Sequence, residues 1–137
     1  MSQLIKLSND EIKLITHFEK TTGATVKDCI SGEELTFIVK EGDLGMAIGK
    51  QGTIINKIKK EMKREIHIYE HSDDPEKFIK NLFYPVRIER VEINDAIATV
   101  YANPEDKKRA IGRAGKKINT VREIAKRHLE IEEIRVV

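Results

Sequence analysis

The sequence has no tryptophan, one cysteine and three prolines, and Phe, Trp and Tyr together make up 5% of its 137 residues. Cys29 alone excludes a disulfide framework within the chain and a zinc site built on cysteines; it fits a reducing compartment, and the cytoplasm is the expectation. No apolar run approaches the length of a membrane span, and residues 1–20 lack a basic region followed by an apolar core, so neither insertion nor export is indicated. Acidic residues are also missing from two particular stretches. Lys50–Arg64 holds six Lys or Arg against Glu61 alone, and Lys107–Arg127 holds nine against Glu123 alone. The net charge of +2 hides this division. A merely solvated helix face usually interleaves both signs, so clustered base without acid marks a surface for a polyanion.

What is present is one unit twice. Leu44–Arg64 reads LGMAIGKQGTIINKIKKEMKR and Lys107–Arg127 reads KKRAIGRAGKKINTVREIAKR, an offset of 63 positions that aligns Leu44 with Lys107. Both carry Ala-Ile-Gly-x-x-Gly followed two residues later by Ile-Asn. Glycine takes positive φ and lacks a Cβ, so a ligand backbone can approach closely, and the first amides of the helix that follows point at whatever lies there. Lys50 and Arg113 occupy the same position inside Gly49-Lys50-Gln51-Gly52 and Gly112-Arg113-Ala114-Gly115. One cation per loop therefore faces an anion, and each loop reads as a phosphate seat. A third match, Gly42-Asp43-Leu44-Gly45, carries an acid and has no repeat partner, so it reads as a turn.

The repeat predicts two units of about 65 residues, 1–72 and 73–137. Ser8 and Glu11 form a capping box that starts the first helix, with Ile12, Ile15 and Phe18 on its inner face and Gly23 as its C-cap. Residues 24–30 and 34–40 form a hairpin around Ser31-Gly32-Glu33, with Leu35, Phe37 and Val39 toward the core. A short helix leads into the first loop, a second runs to about Arg64 with Ile55, Ile58 and Met62 inward, and a strand spans 65–70. Asp74 and Pro75 then start a helix by cap and proline, which makes residues 71–75 a short, rigid junction. Phe78, Ile79, Leu82 and Phe83 are its apolar side. Strands 86–93 and 96–102 follow, Asn103-Pro104 opens the next helix, and the second loop leads into a helix with Ile118, Val121, Ala125 and Leu129 inward and a last strand.

That order, the Ile-Gly-x-x-Gly signature and the size resemble KH domains, which clamp about four nucleotides of single-stranded nucleic acid. Two strands precede each loop, and residues 116–137 leave no room for a later strand and helix, so the resemblance is to the bacterial-type (type II) arrangement. The fold class implied is α+β: two tandem type II KH domains, each α-β-β-α-α-β, with helices on one face of a three-stranded sheet. The junction Glu70-His71-Ser72-Asp73-Asp74-Pro75, continuing through Phe78-Ile79-Lys80-Asn81 to Pro85, resembles the linker between the two KH domains of the NusA transcription factors, and an archaeal NusA-like family is indicated. The N-terminal polymerase-binding domain and the S1 domain of bacterial members have no counterpart in these residues.

The resemblance implies a transcription factor that binds nascent single-stranded RNA and modulates elongation, termination or antitermination. It assigns RNA phosphates to Gly49, Lys50, Gln51 and Gly52 and to Gly112, Arg113, Ala114 and Gly115; the basic helices add Lys57, Lys116 and Lys117 as secondary contacts, with plain exposed helix lysines as the alternative. Backbone groups of Ile66–Tyr69 and Ile134–Val136 would face the bases, while Ile48, Ile55, Ile111 and Ile118 are expected in the core. Scarce aromatics leave no evident stacking platform. An alternative keeps the fold but uses it for protein contact, on RNA polymerase or a ribosomal protein, and another places it in rRNA processing. Residues 1–74 hold 11 bases and 13 acids whereas 75–137 hold 14 and 10, so the first unit is the weaker RNA candidate. Enzyme readings lack support: Cys29 has no histidine nearby in sequence, His67 and His71 lack a third ligand, and neither loop ends in the Lys-Ser/Thr of a nucleotide-triphosphate loop. No cofactor, metal or small-molecule substrate is implied.

Overall fold

The computed structural model describes residues 5–137, and the chain folds as two compact units, Ile5–Ser72 and Asp73–Val137. In the first unit, helix α1 (Asn9–Thr22) leads to strands β1 (Val26–Ser31) and β2 (Leu35–Val39), helices α2 (Leu44–Ile48) and α3 (Thr53–Met62), and strand β3 (Ile66–Glu70). Strand β1 pairs antiparallel with β2, whereas β3 lies parallel to β2 on its other side. Parallel neighbours cannot be joined by a tight turn. The chain between β2 and β3 therefore leaves the sheet, and α2, the first Gly-x-x-Gly loop and α3 form that crossover.

Local chemistry accounts for the ends of α1. The Ser8 hydroxyl accepts from the Glu11 amide at 3.1 Å while the Glu11 carboxylate accepts from the Ser8 amide at 3.0 Å, and Gly23 closes the helix at φ 80°. Phe18 stacks on Phe37 with ring centroids 4.1 Å apart. Around that pair gather Ala24, Cys29, Leu35, Val39, Ala47, Ile58 and Ile66, all buried, which makes Cys29 part of the core. Every residue of the central strand β2 is buried. The inner face of α1 differs from expectation at one position. Ile12 is 49% exposed, and Leu14 packs on the core in its place, beside Ile15 as expected. Six residues at 3.6 per turn put Ile12 about 120° from Phe18, off the buried line.

The second unit repeats the plan with α4 (Pro75–Leu82), β4 (Ile88–Asn94), β5 (Ile97–Ala102), α5 (Lys107–Ile111), α6 (Lys116–Leu129) and β6 (Glu133–Val136). Again the first two strands are antiparallel and the last is parallel to the middle one. The Asp74 carboxylate accepts from the Glu76 amide at 3.1 Å with Pro75 at the first helical turn, and Phe78, Ile79, Leu82 and Phe83 are fully buried. Asn103-Pro104 does not open a helix. Residues 104–106 form a turn, and α5 begins only at Lys107. The Asn103 carbonyl takes the amides of Asp106 and Lys107 at 2.9 and 3.0 Å, so a main-chain acceptor closes a turn where a side-chain cap was expected. In α6 the buried line is Ile118, Val121, Ile124 and Ala125. Leu129 is only half-buried, because the chain turns left-handed at Glu130 and buries Ile131 after it.

Among the described residues no helix is long and apolar enough to cross a membrane, and no group of three or more His, Cys, Asp and Glu could hold a metal.

Candidate nucleic-acid interface

The two loops adopt one conformation. Gly49 lies at φ 78°, ψ 171° and Gly112 at 80°, 169°. Gln51 (56°, 28°) matches Ala114 (54°, 26°), and Gly52 (75°, 15°) matches Gly115 (75°, 12°). The first glycine occupies a region that other residues essentially never adopt, whereas the third and fourth positions are left-handed and reachable by other residues at a cost. Gly52 passes straight into right-handed Thr53 (−60°, −41°), and Gly115 into Lys116 (−59°, −45°). The Gly52 and Thr53 amides donate to the Gly49 and Lys50 carbonyls, and the Gly115 and Lys116 amides to the Gly112 and Arg113 carbonyls, so each loop closes on its own main chain at the positive end of a helix. No side chain caps either helix at this end.

The two glycines of each loop have different tasks. A Cβ added at Gly49 would stand 2.7 Å from Ile54 Cγ1, and one added at Gly112 would stand 2.7 Å from Lys117 Cβ and 2.8 Å from the Lys117 amide nitrogen. The first glycine thus lets the loop fold back onto the next helix. At Gly52 and Gly115 the nearest atoms would be Asn56 Nδ2 at 3.5 Å and Asn119 Nδ2 at 3.7 Å, ordinary contact distances. There the requirement is for φ alone.

Lys50, Gln51, Arg113 and Ala114 are exposed at the loop tips, and Lys57 and Lys116 are exposed on the following helices. Lys117 differs from the other predicted contacts. It is half-buried, and its Nζ donates to the Tyr84 carbonyl at 3.2 Å. Burial lowers its pKa from 10.5 to about 8. Ile54 stands at the equivalent position of the first unit. Because the folded-state pKa lies below the unfolded one, the charge disfavours folding at full strength below about pH 8, and this cost disappears as pH rises toward 10.5. Thermal melts of the wild type and Lys117→Ile from pH 7 to 10 should therefore converge with rising pH, the wild type gaining relative to the variant. Parallel profiles would show that the ammonium is not strained by burial.

Of the four isoleucines expected in the core, Ile118 is buried and Ile55 packs against the core cluster, while Ile48 and Ile111 are half-buried beside the first glycine of each loop. Strands β3 and β6 each lie at one edge of their sheet. Sequence reasoning passed over the cation that ties each post-loop helix to the last strand or to the residue just before it. Arg122 donates to Asn119 Oδ1 at 3.1 Å and to the Ile134 carbonyl at 3.2 Å, and at the equivalent position Lys59 pairs with Glu65 at 2.9 Å. The repeat alignment of Lys59 with Arg122 was the available signal. The helices before the loops differ more sharply. Helix α5 carries exposed Lys107, Lys108 and Arg109 where α2 has Leu44, Gly45 and Met46.

Comparison with known proteins adds to this geometry. Residues 75–137 match the family model described as NusA-like second KH domain, and residues 13–73 match the model described as KH domain. The chain is 36% identical to a probable transcription termination protein NusA of Methanocaldococcus jannaschii over 97% of this chain and 75% of the relative. It is 39% identical to the protein of that name from Methanococcus vannielii, covering 97% of this chain and 80% of the relative. A solved structure, "Crystal structure of APE1850", superposes with a TM-score of 0.81 at 30% identity, covering 96% of this chain and all of the other. With both loops, both sheets and these relatives in agreement, the chain belongs to the NusA-like family of tandem KH-domain proteins.

Proposed function

We propose that this protein binds single-stranded RNA through its two Gly-x-x-Gly loops, and that it acts on nascent transcripts in elongation or termination. The observation that carries the reading is the duplicated loop: one backbone conformation, built twice, with Lys50 and Arg113 at the same exposed position and a helix start without a side-chain cap behind each. The exposed cation and the positive end of the helix both suit a phosphate there. The relatives' names supply the transcriptional setting. RNA polymerase is a second candidate partner. The neutral α2 and the 48% exposure of Met46 favour protein contact in the first unit over the second.

The test is fluorescence anisotropy of the full chain with a labelled single-stranded RNA of about ten nucleotides, two sites of about four each with a margin. Binding should weaken with salt along a log–log slope of about −0.7 per neutralised phosphate. No binding at low salt, by this RNA or by a random pool, would leave a KH scaffold used for protein contacts.

A further inference from the structure

The aromatic residues divide cleanly by the fate of their rings. Phe18, Phe37, Phe78 and Phe83 are fully buried. Tyr69 is buried too, and its phenol is pushed up to about 12 by desolvation and then by the Glu34 carboxylate. Tyr101 has its face covered by the Arg90 guanidinium at 3.8 Å and its hydroxyl bonded to Glu92 at 3.1 Å. That leaves Tyr84, which is 57% exposed, the highest value among the exposed large apolar side chains of the described residues.

Its backbone is held at the second loop. The Tyr84 amide donates to the Asn81 carbonyl at 3.2 Å, its carbonyl accepts from Lys117 Nζ at 3.2 Å, and Phe83 before it and Val86 soon after it are buried. Lys117 is the second residue of α6, directly after Gly115 and Lys116, and its Cβ lies against Gly112. Tyr84 is thus one lysine side chain away from the proposed phosphate seat. The chain from Lys77 to Ile88 contains three cations, Lys77, Lys80 and Arg87, and no acid. The first unit has nothing comparable, since the positions equivalent to Tyr84 and Lys117 are Thr21 and Ile54.

We infer that Tyr84 is a stacking platform for a nucleobase of the RNA whose phosphate sits in the second Gly-x-x-Gly loop. The inference rests on the RNA-binding reading of that loop and adds to it a base contact confined to the second unit. An aromatic face accepts any base, because every base has a π-face, and it contributes affinity without neutralising charge. Lys77, Lys80 and Arg87 are exposed on this segment, which Glu76 and Glu89 flank, and together with the cations of the second loop they suit a nucleic acid, so the exposed ring has a ligand of matching shape.

Two substitutions and one spectroscopic reading test it. With the labelled ten-nucleotide RNA, Tyr84→Ala should bind about tenfold more weakly. Its salt slope should equal that of the wild type, and Tyr84→Phe should keep wild-type affinity. Because the chain has no tryptophan, tyrosine emission is observable; RNA should quench it in the wild type, and the quench should shrink in Tyr84→Phe although binding persists. If Tyr84→Ala binds like the wild type while Arg113→Asp with Ala114→Asp does not, the platform is overturned and the loop stands. Equal losses in Ala and Phe would assign the effect to the hydroxyl and overturn stacking, and so would a quench unchanged in Phe. Should the wild type itself fail to bind RNA, platform and loop reading fall together.

Discussion

Replacing Arg113 and Ala114 together by aspartate should weaken RNA binding by about 100-fold at moderate salt, and replacing Lys50 and Gln51 in the same way should cost about tenfold. Both double changes move a loop from one positive charge to two negative ones, so their difference measures what surrounds each loop. Around the second loop stand Lys107, Lys108, Arg109 and Lys116; the matching positions of the first hold Leu44, Gly45, Met46 and Thr53. On the proposed reading, more phosphate contacts would be at stake in the second unit. Neither change should disturb folding. Ala114 and Gln51 already sit in the left-handed region, where aspartate is one of the better-tolerated residues, and all four side chains are exposed. Anisotropy titrations, with circular dichroism as the control on folding, decide it. Equal dissociation constants for the wild type and both variants would remove the loops from the site.

Gly112→Ala should be the most destabilising single change in either loop, by about 3 kcal/mol, lowering the melting temperature of its unit by roughly 15 °C. Two costs combine there. The backbone at φ 80°, ψ 169° is nearly closed to alanine, and the new Cβ would meet the Lys117 amide nitrogen at 2.8 Å, an atom that no rotamer change can move. Gly115→Ala meets only the left-handed cost of about 1–2 kcal/mol, since its surroundings leave ordinary contact distances. Calorimetry of the two variants separates the tasks of the glycines. If Gly115→Ala proves as damaging as Gly112→Ala, crowding by α6 does not distinguish the positions.

Features legible in the sequence were those that a short stretch specifies by itself. Ser8 with Glu11, Gly23, and Asp74 with Pro75 are complete local instructions, and the duplicated loop could be recognised because its conformation depends on its own glycines. What stayed hidden depends on partners distant in sequence. Lys117 reads as one more basic helical residue until the Tyr84 carbonyl, 33 positions away, is found at its end. Tyr84 carries no signal in the sequence beyond its place before Pro85, and only the fate of the other aromatic rings singles it out. Asn103-Pro104 misled for a related reason: cap-then-proline opens either a helix or a turn, and the choice fell to the Asn103 carbonyl. Ile12 shows the limit of periodicity, which gives the spacing of a face and leaves its phase to the packing.

The crossover that carries each loop has a consequence for assembly. The β1–β2 and β4–β5 hairpins join neighbours in sequence and can form early, whereas β3 and β6 reach the middle strand only after the helices and loop between have been ordered. Pairing of the terminal strand therefore closes each unit, and the crossover that carries the loop is anchored at both ends only once that strand is paired. A chain still emerging from the ribosome without β6 has the second loop in its sequence but only one end of its crossover anchored in the sheet. By the same linkage, on the proposed reading, a phosphate held at either loop would stabilise a strand it never touches, and occupancy by RNA and closure of the sheet would rise and fall together.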